Sequence, residues 1–210
     1  MNNNTTKNIN NITLLGGSFN PIHLGHIAMA VCAHEEFGLD NIVFMPNKTT
    51  YYKENTVFAP DEDRLAMIKL AIKDYPYMSV SDMEISRGGV TRTIDTVREL
   101  KAEDSERDIY FILGGDSLEW VDKWVDADEL LVSVTFLAAV RGETDRERSL
   151  EIIERIMDEH PGADIRLLDM EEMPISSSEI RRRVVAGEDI SNLVPAAVEE
   201  YINRKNLYIM

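Results

Sequence analysis

Apolar residues fall along this chain in short unbroken runs separated by longer amphipathic stretches. Ile12-Thr13-Leu14-Leu15, Ile42-Val43-Phe44-Met45, Ile109-Tyr110-Phe111-Ile112-Leu113, a run within Leu131–Val140 and Ile165-Arg166-Leu167-Leu168 each read as buried strands. Between them the apolar spacing widens. Ile27 to Phe37, the stretch after Asp61 with Leu65, Ile68, Leu70 and Ile72, Thr93 to Leu100, and Leu150 with Ile153 and Met157 predict helices. Gly38 is expected to end the first and Asp61 to cap the second. Met78–Ile85 reads as an edge strand before a turn at Arg87-Gly88-Gly89, and two helices close the chain from about residue 176. Lys48 to Pro60, with Tyr51, Tyr52 and Lys53, has no clean period and predicts a long loop.

Strands alternating with helices, each strand a continuous apolar run, predict an α/β architecture. The expected fold is Rossmann-like and doubly wound: a mainly parallel, five-stranded sheet with helices on both faces and a C-terminal helical segment. Residues 1–10, polar and Asn-rich, are expected as a flexible tail before one domain over 11–210. In such sheets ligands sit beyond the carboxyl ends of the strands. Two predicted strands end there in paired glycines, Gly16-Gly17 and Gly114-Gly115, so both point to one crevice.

The first glycine exit opens the run GGSFNPIHLGH, Gly16 to His26, which leads into a helix. A Gly-rich turn between a strand and a helix N-terminus gathers backbone N–H groups and the positive end of a helix dipole. His23 and His26 add imidazole donors, and the pattern points to a nucleotide-phosphate site. His34 and His160 read as structural, one inside the first helix and one at a helix C-terminus. Ile175-Ser176-Ser177-Ser178-Glu179-Ile180-Arg181 starts another helix, with Ser176 and Glu179 spaced as a capping box. By itself this is a capped surface helix, yet its hydroxyls, N–H groups and Arg181 also suit an anion. In the third segment, Asp116 at a strand end is placed to accept ribose hydroxyls and Trp124 to stack on a flat ring, with core packing as the rival reading for Trp124. For Trp120 core packing is the expectation.

Charge narrows the classes. A net charge of −16 over 210 residues lacks the basic footprint of a nucleic-acid binder, and Arg181-Arg182-Arg183 stands out against it. Cys32 is the only cysteine, which leaves no disulfide or cysteine-based zinc cage within the chain. No apolar run approaches membrane-spanning length and no signal-peptide pattern appears, so a cytoplasmic protein without membrane attachment is expected. The P-loop and dinucleotide glycine motifs and the G-x-S-x-G elbow are missing. A homo-oligomer is compatible with the sequence.

GGSFNPIHLGH followed far downstream by ISSSEIR resembles the nucleotidyltransferase superfamily with an early H-x-G-H and a late I-S-S-T-x-I-R motif. Within it the chain is similar to the family of bacterial nicotinate-nucleotide adenylyltransferases, through Met45-Pro46-Asn47, Arg64, Asp95-Thr96, Lys123-Trp124, Arg141 and Leu193-Val194-Pro195. The resemblance implies adenylyl transfer from ATP, with Mg²⁺, to nicotinate mononucleotide. It also implies an ATP side built of Gly16, Gly17, Ser18, Phe19, His23, His26, Gly114, Asp116, Ser177, Ser178 and Arg181. His23, His26 and Arg181 would be the catalytic donors, phosphate charge helping to keep the imidazoles cationic. The pyridine side would be Asn47, Lys53, Thr93 and Trp124, and no protein residue is expected as a dedicated metal ligand. Family members often carry Pro-Pro-His-Lys where this chain has Thr50, Tyr51, Tyr52 and Lys53, a Tyr at Arg92 and an aromatic residue at Val125. These departures cluster on the pyridine side, where a preference for the nicotinamide nucleotide stays open. A non-catalytic nucleotide-binding regulator is the rival from another class.

Overall fold

The computed structural model describes residues 10–48, 58–171 and 173–209. Six strands, β1 (Asn11–Gly17), β2 (Ile42–Pro46), β3 (Met78–Val80), β4 (Asp108–Gly114), β5 (Thr135–Arg141) and β6 (Asp164–Met170), form one sheet. Their order is β3-β2-β1-β4-β5-β6, and every neighbouring pair is parallel. The sheet therefore has six strands rather than five. The added one is the edge strand expected at Met78–Ile85, cut to three residues because Met83–Arg87 turns into a short helix, α3.

The other helices are α1 (Leu24–Phe37), α2 (Asp61–Ile72), α4 (Thr93–Glu103), α5 (Gly115–Leu118), α6 (Ala127–Ser133), α7 (Gly142–Glu159), α8 (Ser177–Ala186) and α9 (Ala196–Lys205). Side chains alternate across a strand, so adjacent residues serve opposite faces. Leu15, Phe44, Ile112 and Leu137 join a core with α1, α2, α8 and α9, while Leu14, Val43, Phe111 and Phe136 join a second core with α4, α6 and α7. A sheet buried on both faces needs apolar residues at consecutive positions, which is why its strands read as unbroken runs.

Two local expectations change. Pro60, not Asp61, is the N-cap of α2. The Asp61 carboxylate instead receives Lys48 Nζ and Arg64 Nη2, both at 2.5 Å, since two cations outcompete a backbone N–H. Trp120 is not core but 63% exposed, because the turn after α5 faces it outward. His34 Nδ1 donates to the Leu39 carbonyl and His160 pairs with Asp128, both structural as expected.

Strand order reverses between β1 and β4: the first half of the chain adds β2 and β3 on one side of this pair, and the second half adds β5 and β6 on the other. In a 3-2-1-4-5-6 sheet this is the switch point where a crevice opens at the carboxyl ends. The glycine exits of β1 and β4 meet there, as Leu15 registers with Ile112.

Candidate active site

The turn after β1 is shaped by its neighbours. A Cβ on Gly16 would come within 2.9 Å of the tip of the Phe111 ring, so glycine lets that ring lie against the end of β1. Phe19 has a left-handed backbone, φ 44°, and its ring is fully buried between His26 and Phe44. Phe19 is therefore behind the site rather than in its wall: it packs edge-on to His26 at 4.9 Å. Gly17 is sealed from below by the same ring.

Backbone groups of this turn are held by side chains from far along the chain. Asn20, joined to Pro21 by a cis peptide, accepts the Ala59 N–H on its side-chain oxygen. The Asn20 carbonyl accepts from Arg181 Nη1 at 2.7 Å, and the Pro21 carbonyl from Ser177 Oγ at 2.9 Å. The buried guanidinium of Arg64 donates to the Ser18 and Asn47 carbonyls, each at 2.7 Å. One side chain thus fixes the ends of both β1 and β2.

His23 is the N-cap of α1, and His26 lies in its first turn with Nδ1 accepting the His23 backbone N–H at 3.2 Å. The two imidazoles stack with centroids 3.7 Å apart and planes 25° apart. Gly25 makes this possible, since a Cβ there would sit 3.1 Å from His23 Nδ1.

Against this turn, α8 starts at Ser176, whose hydroxyl accepts the Glu179 N–H at 3.2 Å. The expected capping box is half made. The Glu179 carboxylate turns to Arg182 and Arg183, whose hydrogen bonds hold it down to about 2. The arginine triplet therefore divides, Arg182 and Arg183 serving surface carboxylates and Arg181 reaching inward. Burial lowers the Arg181 pKa from its ordinary value, against a smaller opposite pull from Tyr208, but a guanidinium stays charged throughout. With one nitrogen on Asn20, its remaining N–H donors are available to an anion.

These segments wall one cavity of about 910 Å³. Gly16, Gly17, Ser18, His23, His26, Gly114, Asp116, Ser177, Ser178 and Arg181 line it, together with Asn47, Thr93 and Trp124. Lys53, Thr50, Tyr51 and Tyr52 lie outside the described residues. Trp124 is held edge-on by Phe111 at 6.0 Å and by Phe136 at 6.5 Å, which leaves part of the indole in the wall. Thr93 begins α4, so that wall also presents a helix N-terminus. The side-chain oxygen of Asn47 is buried and has no hydrogen-bond partner among the described residues. Arg92, in contrast, is exposed and not part of the wall.

Three residues have roles that sequence reasoning did not give them, Arg64 having counted only toward the family resemblance. Arg64 had a signal: a cation on the same helical stripe as Ile68, Ala71 and Ile72, where a solvated charge does not belong. Glu84, buried in the wall and accepting from Thr96 Oγ1 at 2.8 Å, had none, because it follows a residue pattern read as strand. Thr91, whose hydroxyl accepts the Lys48 N–H, had none either.

A parallel sheet with this strand order and paired imidazoles at its switch point defines the class, and the chain belongs to the cytidylyltransferase-like family, whose model matches residues 14–183. It is 42% identical over 199 residues to a probable nicotinate-nucleotide adenylyltransferase of Dehalococcoides mccartyi, covering 93% of this chain and 95% of the relative. A relative of that name from Lachnoclostridium phytofermentans is 38% identical over 198 residues, covering 94% of this chain and 98% of its own. Among solved structures, the fold matches Plasmodium falciparum nicotinic acid mononucleotide adenylyltransferase complexed with NaAD. The TM-score there is 0.74 at 23% identity, over 94% of this chain and 97% of that one.

Proposed function

We propose that this enzyme transfers the adenylyl group of ATP to nicotinate mononucleotide, giving nicotinate adenine dinucleotide and pyrophosphate in NAD biosynthesis. The observation that carries the reading is a single cavity walled both by anion donors and by an aromatic pocket. His23, His26, Ser178 and Arg181 line it, and so do Thr93 and Trp124. At about 910 Å³ it is near the upper end of ordinary ligand pockets, roomy enough for two nucleotides together.

An oxygen of the nicotinate mononucleotide phosphate attacks the α-phosphorus of ATP. The new P–O bond forms as the bond from the α-phosphorus to the bridging oxygen breaks, and pyrophosphate leaves with the electron pair. The attacking phosphate is ionised near neutral pH, so the protein supplies alignment and charge stabilisation rather than a general base. His23, His26 and Arg181 would hold the phosphate tail, with Gly17, Ser18 and Ser178 beside it. Asp116 would accept ribose hydroxyls, and the buried oxygen of Asn47 a hydroxyl of the second nucleotide. Trp124 would face the pyridine ring, and the N-terminus of α4 at Thr93 its carboxylate.

Mg²⁺ fits this site as a companion of the triphosphate. Among the described residues no group of three His, Cys, Asp or Glu converges to cage a metal, so phosphate oxygens and water would supply most of its ligands. Bound there, it would neutralise charge on the departing pyrophosphate. The substrates belong to the cytoplasm, and among the described residues no helix is long and apolar enough to cross a membrane.

Pyrophosphate release, measured with ATP plus nicotinate mononucleotide and in parallel with the nicotinamide nucleotide, tests the reading. Faster release with the nicotinate is expected. Release with neither substrate would overturn it and favour a nucleotide-binding regulator. His26→Ala should lower kcat by about two to three powers of ten with an unchanged circular dichroism spectrum.

A further inference from the structure

The two stacked imidazoles occupy the N-cap and N3 positions of α1, the ends of a capping box. His26 occupies the first turn of α1 and takes the His23 backbone N–H on Nδ1 at 3.2 Å. An imidazole nitrogen accepts a hydrogen bond only when it carries no proton. We infer that His26 works as a neutral donor of fixed tautomer, Nδ1 unprotonated and Nε2 carrying the hydrogen offered to the cavity.

Three independent features favour this state. Protonating Nδ1 would replace an acceptor with a second donor facing the His23 N–H, and so undo a helix cap. The positive end of the α1 dipole disfavours a cation in the first turn. The His23 ring lies only 3.7 Å away, nearly parallel, so a charge on each ring would be strongly repulsive. The fully buried Phe19 ring, edge-on at 4.9 Å, keeps the His26 plane from turning to exchange its nitrogens.

The consequence reaches the chemistry. Full positive charge on the anion side then comes from Arg181, while His26 contributes a dipolar N–H. A neutral donor placed against a leaving oxygen gains strength as charge develops there, whereas a salt bridge would bind ground state and transition state more alike. This differs from the expectation that phosphate charge keeps both imidazoles cationic. The inference depends on the adenylyl-transfer reading only for the identity of the anion.

The test is long-range ¹H–¹⁵N correlation on full-length protein labelled in its four histidines, alone and with Mg²⁺ and a non-hydrolysable ATP analogue. His26 is assigned by the signal lost in His26→Asn. A pyridine-like Nδ1 and a protonated Nε2 are expected near neutral pH in both states. An imidazolium pattern, or the opposite tautomer, overturns the inference. Kinetics give a second readout. In His26→Gln the amide nitrogen falls near the Nε2 position, and in His26→Asn the amide oxygen falls near Nδ1. Glutamine should retain at least about tenfold more kcat than asparagine, while asparagine should retain the higher melting temperature. The reverse order in both would overturn the inference. The tautomer is read whether or not pyrophosphate is released, so failure of the reaction and failure of the tautomer are distinguishable.

Discussion

At the scale of single residues, the site depends on what is missing as much as on what is present. Gly25 has no Cβ to meet His23 Nδ1 at 3.1 Å, and the imidazole stack rests on that space. Gly25→Ala should displace the His23 ring by a few tenths of an ångström or more. We expect kcat to fall about tenfold to a hundredfold with the fold intact, as small misplacements of a positioning group do. Steady-state kinetics beside a thermal melt would check it, and unchanged kinetics would remove His23 from the phosphate contacts. Trp124 is both wall and packing. Its edge contacts with Phe111 and Phe136 should make Trp124→Ala less stable by about 1 kcal/mol from the aromatic pairs alone. The kinetic effect should fall on KM for the pyridine nucleotide, with KM for ATP little changed. The chemistry-bearing residue types were legible in the sequence here. The division of the arginine triplet was not, because the carboxylates of Glu179 and Glu188 that draw Arg182 outward are chosen by helix geometry.

At the scale of elements, α2 and α8 act as clamps on the turn after β1. Arg64 ties that turn to the end of β2, and Ser177 and Arg181 tie it to the C-terminal segment. Arg64→Met would leave two carbonyls and the Asp61 carboxylate without their buried partner. The expected loss is about 3–5 kcal/mol, read as a lower urea midpoint, with Arg64→Lys intermediate because a compact ammonium lacks the planar fork whose two nitrogens reach these separated acceptors. If Arg64→Met unfolds at the wild-type midpoint, the clamp is dispensable. Helix α9 braces α2 from behind, Tyr201 Oη donating to Asp63 at 2.7 Å with Lys205 3.3 Å away. Periodicity predicted these helices but not their partners, which are set by packing between segments remote in the chain.

At the scale of the whole molecule, buried carboxylates shape the response to pH. Burial pushes Asp122 up, but hydrogen bonds from Arg155 and Lys123 outweigh it and leave the carboxyl below its usual range. A depressed folded pKa stabilises above the unfolded value near 4 and is lost as pH falls through the folded one, so acid should unfold the protein. Glu84 has the opposite sign. Burial raises it, with the Thr96 hydrogen bond and Arg87 pulling the other way. Its contribution is present below the unfolded pKa and lost as pH rises through the raised one. Glu84→Gln, which can still accept from Thr96, should therefore raise the melting temperature more at pH 8 than at pH 5. Equal shifts at both would show that ionisation of Glu84 costs nothing. The alternation of apolar runs and amphipathic stretches determined the doubly wound parallel sheet, since burial on both faces leaves a direct mark on residue order. Paired glycines, the H-x-G-H turn and the late serines with Arg181 marked the wall of the cavity, because anion donors are specific residue types. Tertiary structure alone decided that the edge strand is short, that Phe19 stands behind the wall, and that Glu84 enters it. Those outcomes depend on contacts between distant segments, where spacing along the chain carries no information.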